Sequence, residues 1–326
     1  MSATSKGSAV MGPGAFRLFL ALMVFVSHVS IWKIGTAAVV VFLMLSGYWV
    51  TTILVNGRYS RTVDFLIGRV LRLWPIVIVC TLIAVALQWT VYGRVIGSPL
   101  STLLFLGVAS RGNDTIGTTW SLDVELQFYL LLPLIVAGLR MAGARWTLAL
   151  MVGTVVAMVL GVLLARAGII TALLFAPAFA MGIWLCMSQW QPSKGGAIAS
   201  ILLMFAALLP YSMLAPKDLQ DALAFGVRNF SYGTLLVASL SIPFVAWNVH
   251  VRTGSFDRWL GDLSYPFYLV HFPLIFGLRG LMGDVLAMKL TALVASMAAA
   301  ILINQLLDQP IESWRRRKLL ARAAGR

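Results

Sequence analysis

The chain has 326 residues, of which 60% are hydrophobic and only 11% are charged. Soluble domains carry roughly a quarter charged residues, so this composition excludes a soluble enzyme, and the absence of a glycine or proline repeat excludes a collagen-like or low-complexity chain. The net charge of +14 does not indicate nucleic-acid binding here, because membrane proteins collect basic residues on their cytoplasmic side. The composition predicts a multi-pass membrane protein.

Ten apolar segments follow one another along the chain. A helix that crosses a bilayer needs about 20 apolar residues, and helices satisfy all their backbone polar groups within the lipid. A further apolar stretch at 100–109 is too short to cross and predicts a re-entrant or interfacial piece. The sequence therefore predicts an all-α, polytopic integral membrane protein with about ten transmembrane helices. The ten segments are 15–32, 36–55, 73–92, 120–138, 146–165, 169–187, 197–214, 230–249, 260–278 and 285–307.

The positions of lysine and arginine predict that both termini lie in the cytoplasm. With the N-terminus inside, 17 basic residues fall on the cytoplasmic side and 8 on the other, and the opposite orientation would reverse this bias. The first apolar segment lacks a usable cleavage site and predicts a retained helix rather than a signal peptide. We expect a cytoplasmic N-terminal tail at 1–14, one transmembrane domain at 15–307 and a basic cytoplasmic tail at 308–326.

The first segment places two ionisable side chains on one helix face. Arg17 and His28 are eleven residues apart, within about 20° of three full helical turns, and about 16 Å apart along the axis. A pantetheine arm has a comparable reach. Ionisable groups within a membrane are costly and are therefore functional candidates. In the alternative interpretation, Arg17 contacts lipid headgroups and His28 bonds a neighbouring carbonyl.

The fourth segment begins with polar residues that enter the membrane together. Glu125 and Tyr129 are helical neighbours, whereas Asp123 lies on a different face from Glu125. Intramembrane carboxylates are candidates for chemistry, and Trp120 is a plausible interfacial anchor. The alternative is that Asp123 faces water and Glu125 pairs with a structural arginine.

Two more segments carry polar residues at helical spacing. Ser264, Tyr268 and His271 form one polar stripe on the ninth segment, either for chemistry or to bond carbonyls that Pro266 and Pro273 leave free. At the cytoplasmic start of the third segment, Arg69 and Arg72 present two guanidinium groups on one side, which suits phosphate binding. Taken alone, this pair is better explained by ordinary positive-inside charge. Cys80 and Cys186 lie in apolar stretches, and no disulfide or metal site is expected.

Taken together, these pieces resemble the acyltransferase 3 family of bacterial membrane O-acyltransferases. Five motifs match in order across nearly the whole chain, and their order on the expected segments makes the resemblance specific. The sequence departs from the family pattern at Leu126, where an acidic or polar residue is usual, and at Asp308, where the family has glutamate before x-Pro. The motifs are Arg17-x10-His28, Val41-Phe42-Leu43-Met44-Leu45-Ser46-Gly47-Tyr48, Gly68-Arg69-x-x-Arg72-x-x-Pro75, Trp120-Ser121-Leu122-x-x-Glu125-x-Gln127-Phe128-Tyr129 and Leu263-Ser264-Tyr265-x-x-Tyr268-Leu269-x-His271-x-Pro273.

The resemblance implies an enzyme of a bacterial inner membrane that transfers an acyl group, typically acetyl, from cytoplasmic acyl-CoA to a hydroxyl. The acceptor would be a carbohydrate or a lipid-linked glycan at the cell surface, with acyl-CoA as donor substrate and no permanently bound cofactor. Arg17, Arg69 and Arg72 would hold the CoA phosphates. His28 would act as general base or transient acyl acceptor, and Glu125 would orient His28 or the acceptor hydroxyl. Supporting roles are expected for Ser46, Trp120, Asp123, Ser264, Tyr268 and His271.

Two other classes of protein remain open from the residues alone. A secondary transporter for a sugar or organic anion would also use broken helices and midplane charges, with His28 and Glu125 as a proton relay, although no inverted repeat is visible. A purely structural assembly subunit is disfavoured by the number of intramembrane ionisable groups. The acceptor, the acyl group and the oligomeric state are not predicted by the sequence.

Overall fold

The computed structural model describes residues 11–57, 59, 61–214, 231–315 and 317, and this part of the chain contains helices and no strands. In the first half, two short helices lie between two groups of long ones. They are α1 (Pro13–Val29), α2 (Gly35–Val55), α3 (Thr62–Tyr92), α4 (Pro99–Leu104), α5 (Val108–Arg111), α6 (Trp120–Met141) and α7 (Trp146–Arg166).

The second half continues the same pattern. A π-helical turn at Asn304–Asp308 connects its last two helices. The helices are α8 (Ala176–Ser188), α9 (Lys194–Leu214), α10 (Tyr232–Ser239), α11 (Ile242–Asn248), α12 (Ser255–Met282), α13 (Leu286–Ile303) and α14 (Gln309–Arg315).

Six helical stretches of the described residues are long and apolar enough to cross a membrane. The shorter α1 and α8 are also apolar, and α12 has 28 residues whose polar stripe and two prolines lower its hydropathy. The protein is thus all-helical and multi-pass, while the number of ten crossings stays a prediction. The six stretches are Gly35–Val55, Thr62–Tyr92, Trp120–Met141, Gly143–Arg166, Lys194–Leu214 and Leu286–Arg315.

Helix α12 is the centre of the bundle. It packs against α1, α3 and α13, and α1 also packs against α2. At the start of α12, the carboxylate of Asp257 accepts hydrogen bonds from the backbone N–H groups of Gly14 and Ala15, both at 2.9 Å. These amides belong to the first turn of α1, where backbone donors have no partner within the helix. Asp257 therefore joins the starts of α1 and α12 at one end of the molecule.

The opposite end of the molecule is defined by a second set of contacts. The hydroxyl of Tyr92, at the end of α3, donates to the carbonyl of Phe276 at 2.9 Å. The guanidinium of Arg279 donates to the carbonyl of His28 at 3.1 Å. We call this the histidine end, and we call the end that carries Arg69, at the start of α3, the arginine end.

Helices α2 and α8 pack with their backbones in close contact because each contributes a glycine. A side chain at Gly47 would overlap the carbonyl of Phe179, and one at Gly182 would overlap the carbonyl of Met44. Small residues permit such close approach between helices in a membrane. This explains the glycine that follows Ser46 in the second motif.

We predict that Gly182→Val destabilises the protein by about 1–3 kcal/mol, because the added methyl groups force α2 and α8 apart. Gly153→Val is the matched control, since a Cβ at Gly153 meets no atom within 4 Å. The measurement is thermal unfolding of both variants in the same detergent. Equal melting temperatures for the two variants would contradict this account of the α2–α8 contact.

Three predicted boundaries differ in the structure. Helix α3 begins at Thr62, well before the predicted 73, because its first turns carry charged residues that an apolar criterion misses. The predicted segment 230–249 is wrong as one continuous helix: it is broken at Leu240–Ser241 into α10 and α11, with Pro243 in the first turn of α11. Part of the predicted tail at 308–326 forms α14, while residues 1–10 of the predicted N-terminal tail lie outside the described residues. The short stretch at 100–109 forms α4 and the start of α5, as its length predicts.

Candidate active site

A cavity of about 580 Å³ lies between α1, α2, α3, α6 and α12. Ligand sites in proteins typically have volumes of about 300–1,000 Å³. Residues from all five predicted motifs line it, together with three polar residues from outside the motifs. The polar side chains are Arg17, Ser46, Arg69, Arg72, Ser121, Glu125, Tyr129, Ser264, Tyr265 and Tyr268 from the motifs, and Thr52, Asn56 and Arg258 from outside them.

Three arginines give the cavity a positive lining. Arg69 is only 3% exposed, and its buried Nε has no hydrogen-bond partner. Arg17 and Arg72 line the same space. Within the described part of the chain, none of the three makes a hydrogen bond or an ion pair, although the Arg69 guanidinium lies 5.9 Å from the centre of the Phe65 ring. A buried guanidinium without a partner is costly, and an anion is the ligand chemistry that would offset this cost.

The surroundings of Arg69 are held by the C-terminal helix. Arg315 of α14 donates to the hydroxyl of Tyr59 at 2.8 Å and to the carbonyl of Gly68 at 3.3 Å. Its guanidinium also pairs with Glu312 at 2.5 Å. A side chain at Gly68 would collide with Tyr59. Helix α14 therefore fixes the start of α3, and Gly68 is required next to Arg69 for a steric reason.

Glu125 lies in the same cavity as the arginines. One of its carboxylate oxygens accepts a hydrogen bond from Ser46 at 2.5 Å and another from the hydroxyl of Tyr129. The hydroxyl oxygens of Ser46 and Tyr129 are 3.3 Å apart. The structure gives no hydrogen bond between Glu125 and His28, one of the two groups that Glu125 is predicted to orient; the other, the acceptor hydroxyl, stays a prediction. Glu125, Ser46 and Tyr129 instead form one hydrogen-bonded cluster that joins α2 to α6.

His28 and His271 lie outside this cavity, toward the histidine end. Their ring centres are 5.4 Å apart, and the His28 ring also contacts Phe272 at 4.7 Å. His28 is half-buried, whereas His271 is fully buried and its Nδ1 lies 3.1 Å from the carbonyl oxygen of Phe267. The structure thus separates the candidate residues into an arginine cavity and a histidine pair.

Tyr268 connects the two groups. It lines the cavity, and its ring centre is 6.0 Å from that of His271. Its hydroxyl is 2.8 Å from the hydroxyl of Ser121 and 3.3 Å from the carbonyl of Thr118. The Ser121–Tyr268 hydrogen bond therefore lies on the side of the cavity that is nearest to the histidine pair.

The loop before α6 packs against Phe272 of α12, whose ring contacts His28. Asp114 accepts hydrogen bonds from the backbone N–H groups of Ile116 at 2.9 Å and Thr119 at 2.6 Å. Burial raises the pKa of Asp114 above its ordinary value, and these hydrogen bonds oppose that rise. Gly117 has a φ of +95°, and a side chain there would collide with the ring of Phe272. Glycine at this position thus lets the loop lie directly on α12.

Two predicted supporting residues are engaged elsewhere. Asp123 is 3% exposed and accepts hydrogen bonds from the N–H of Ala109 and from the amide of Gln127, both at 3.0 Å. The Trp120 ring packs against Phe175 at 5.9 Å. Both side chains hold the start of α6 against neighbouring segments, and neither lines the cavity.

The sequence reasoning did not select two residues that line the cavity, Arg258 and Tyr265. Arg258 lies seven residues, or about two helical turns, before Tyr265, so these two residues share one face of α12 beside the predicted polar stripe. The Tyr265 hydroxyl donates to the carbonyl of Leu73 at 2.9 Å and joins α12 to α3. Ser264 lines the cavity and donates to the carbonyl of Gly261 at 2.6 Å. The i, i+7 spacing of Arg258 and Tyr265 is the signal in the sequence that would have found Arg258.

The polar side chains of α12 do cover backbone carbonyls, as the structural alternative proposed. Ser264 and His271 contact the carbonyls of Gly261 and Phe267 within α12, while Tyr265 and Tyr268 donate to carbonyls of other segments, those of Leu73 and Thr118. Prolines at 266 and 273 would instead leave the carbonyls of residues 262 and 269 without their helical donors. The polar residues of α12 therefore do not serve the carbonyls that the two prolines leave without a donor.

Comparison with known proteins gives one family match. The family model described as an acyltransferase domain matches residues 12–307, which is most of the chain. The comparisons with curated proteins and with solved structures find no match.

Proposed function

The chain belongs to the acyltransferase 3 family and is an acyltransferase of the class that transfers groups other than aminoacyl groups. From this premise, we propose that it moves an acyl group, typically acetyl, from cytoplasmic acyl-CoA to a hydroxyl of a carbohydrate or glycosylated acceptor. The unpartnered, buried guanidinium of Arg69 inside a cavity shared with Arg17 and Arg72 is the observation that carries the proposal.

The donor would bind with its phosphates at the three arginines. Coenzyme A carries a diphosphate and a ribose phosphate, and guanidinium groups bind phosphate oxygens in pairs. Arg258 is exposed and lines the same cavity, so it extends the positive lining toward the arginine end. Anions that enter from this end meet four arginines and one carboxylate, that of Glu125.

The thioester would be delivered toward His28. Helix α1 is continuous from Pro13 to Val29, so the axial distance from Arg17 to His28 is about 16 Å. A pantetheine arm spans that distance, provided that the Ser121–Tyr268 hydrogen bond parts to let it through. His28 would take the proton of the acceptor hydroxyl, whose oxygen then bonds the acyl carbon while the carbon–sulfur bond breaks. The proton on His28 passes to the departing thiolate.

Glu125 has a positioning role in this proposal. Its carboxylate holds Ser46 and Tyr129 in the wall of the cavity. It also supplies a negative charge beside three arginines while the cavity is empty, which lowers the cost of keeping those charges buried. The catalytic assignment of Glu125 thus changes from orienting His28 to shaping the donor cavity.

The orientation of the chain decides which compartment supplies the donor. We propose a bacterial inner-membrane location with the arginine end in the cytoplasm and the acceptor on the other side or lipid-linked. Single cysteines introduced at Asn56 and at Asp284 should then react with a membrane-impermeant maleimide from the cytoplasmic and the extracytoplasmic side, respectively. Labelling of position 56 from outside intact cells would reverse the orientation and the side of the donor together. The Lys217 and Arg322 positions, which also contribute to the predicted orientation, lie outside the described residues.

The proposed function is tested with the purified protein in lipid nanodiscs. We expect it to release the free thiol of CoA from acetyl-CoA, and to do so faster when extracted bacterial glycans are added. Thiol release is measured with a thiol-reactive dye, and label from acetyl-CoA is followed into the glycan fraction. A transporter would show neither signal, so an inactive protein that still carries labelled sugar or organic anion across a vesicle membrane would overturn the proposal.

A further inference from the structure

We propose that His271 is a positioning residue whose Nε2 accepts a hydrogen bond from the imidazole N–H of His28. This inference rests on the proposed function, in which His28 takes the proton of the acceptor hydroxyl. It concerns a side chain that does not line the donor cavity and that no step of the transfer described above uses.

The protonation of the His271 ring follows from its one hydrogen bond. Its Nδ1 is 3.1 Å from the carbonyl oxygen of Phe267, and a carbonyl oxygen can only accept. Nδ1 therefore carries the hydrogen, and in the neutral ring Nε2 has a free lone pair. This Nε2 is buried and has no hydrogen-bond partner. An acceptor left in this state costs free energy, so a donor for it should exist in the working enzyme.

His28 is the neighbour that can supply this donor. The rings of Phe25 and Phe267, at 6.1 and 5.8 Å from the His271 ring, carry no polar hydrogen. The ring of Tyr268 is 6.0 Å away, but its hydroxyl is engaged with Ser121 and Thr118. The ring of His28 is the nearest of the four at 5.4 Å, and a neutral imidazole has one N–H to donate.

Phe272 and Arg279 restrict the positions that the His28 ring can reach. Phe272 packs against the edge of the His28 ring at 4.7 Å, and Arg279 holds the backbone carbonyl of His28 at 3.1 Å. The His28 ring is therefore confined between Phe272 and His271. Rotation of its side chain within this space turns a ring nitrogen toward Nε2 of His271.

The hydrogen bond would fix which nitrogen of His28 is the base. When one nitrogen donates to His271, the other must present its lone pair to the acceptor hydroxyl. After His28 takes that proton, the same hydrogen bond stabilises the imidazolium. The proton then passes from His28 to the departing thiolate. A neutral histidine does this without adding a second charge inside the membrane, which a carboxylate would do.

Two substitutions separate this role from a purely structural one. In His271→Asn the side-chain amide can still donate to Phe267 but offers nothing at the position of Nε2. In His271→Gln the amide oxygen reaches the position of Nε2 while the bond to Phe267 is lost. We expect His271→Asn to lower kcat by about 10- to 100-fold with an unchanged KM for acetyl-CoA, by analogy with the loss when the hydrogen-bond partner of a metal-binding histidine is removed. We expect His271→Gln to stay close to wild type.

A higher kcat for His271→Asn than for His271→Gln would overturn the proposal. It would mean that the contribution of His271 is its hydrogen bond to the carbonyl of Phe267. If both variants are impaired, each is compared in a His28→Ala background. Our proposal predicts no further loss there, since His271 acts through His28, and an additional loss would contradict it. A wild-type protein that releases no thiol from acetyl-CoA would instead remove the proposed function, so the two failures are distinguishable.

Discussion

His28→Gln should lower kcat for acyl transfer by about 10²- to 10⁴-fold, the usual contribution of a general base. Glutamine can keep a hydrogen bond to His271 but cannot accept the proton of the acceptor hydroxyl. The affinity for acyl-CoA should be unchanged, because we propose that the phosphates bind at Arg17, Arg69 and Arg72, and Arg17 is about 16 Å from His28 along α1. Thiol release and equilibrium binding of a CoA thioether measure the two quantities on the same preparation.

The chain offers a matched control for this experiment. His250 is one of only three histidines, and its Nδ1 is 2.8 Å from the carbonyl oxygen of Ala246, so its contact resembles that of His271. His250 does not line the cavity, and His250→Gln should leave kcat unchanged. Near-normal transfer by His28→Gln would show that His28 is structural, and the base would then have to be sought at Glu125.

Arg69→Met should weaken the binding of acyl-CoA by roughly 10- to 100-fold, because hydrogen bonds to a charged group contribute about 1.5–3 kcal/mol. The same substitution should leave the melting temperature of the empty protein unchanged or raise it. Methionine fills a similar space, and it removes a buried charge that has no partner in the empty cavity. Loss of affinity together with retained stability is the expected result for a ligand-binding arginine.

A structural arginine would give the opposite pattern, namely a lower melting temperature with unchanged affinity. Arg140→Met is the matched control, because Arg140 is exposed and its only described hydrogen bond goes to the carbonyl of Val55 at 3.5 Å. It should change neither quantity. Arg69→Lys distinguishes charge from geometry, and we expect it to bind acyl-CoA less tightly than wild type because a lysine cannot contact phosphate in a bidentate way.

The sequence predicted the helical class and the residues of the cavity because both depend on local properties. Apolar length identifies helices in a membrane, and intramembrane charge identifies functional candidates. Arg17 and Glu125 were selected as intramembrane charges, whereas Arg69 and Arg72 were selected for their helical spacing and for the arginine motif of the family. The structure brings all four to one cavity.

Which candidates meet was not predictable from helical spacing. Spacing assigns residues to a face of one helix, whereas the neighbour across that face depends on how the helices pack. Glu125 was predicted to orient either His28 or the acceptor hydroxyl. Its contact in the structure is with Ser46 of α2, and the tight α2–α8 contact at Gly47 sets where α2 lies. The same limit explains Asp123, whose partner Ala109 belongs to the α5 helix, a segment with no motif.

The break in the predicted segment 230–249 is marked in the sequence by a proline, which a criterion based on apolar length does not detect. Proline at 243 lacks a backbone N–H, so a helix that runs through it loses a hydrogen bond, and proline is favoured in the first turn of a new helix. Ser241 donates to the carbonyl of Ala238 at 2.7 Å, which helps to end α10. The Ser-Ile-Pro sequence at 241–243 therefore marks a helix start within an otherwise apolar run.

The most direct test of the account is to locate both ends of a bound donor at once. A CoA thioether with a diazirine in its acyl group would be bound, irradiated and mapped by peptide mass spectrometry, in wild type and in Arg69→Met. If the acyl group of the donor lies at the histidine pair, we expect crosslinks to the end of α1 around His28 or to α12 around His271. We expect these crosslinks to be lost in Arg69→Met. Crosslinks in wild type to the arginine end of the cavity, around Asn56 or Arg258, would contradict this placement, because the acyl group would then lie beside the phosphates rather than at the histidine pair.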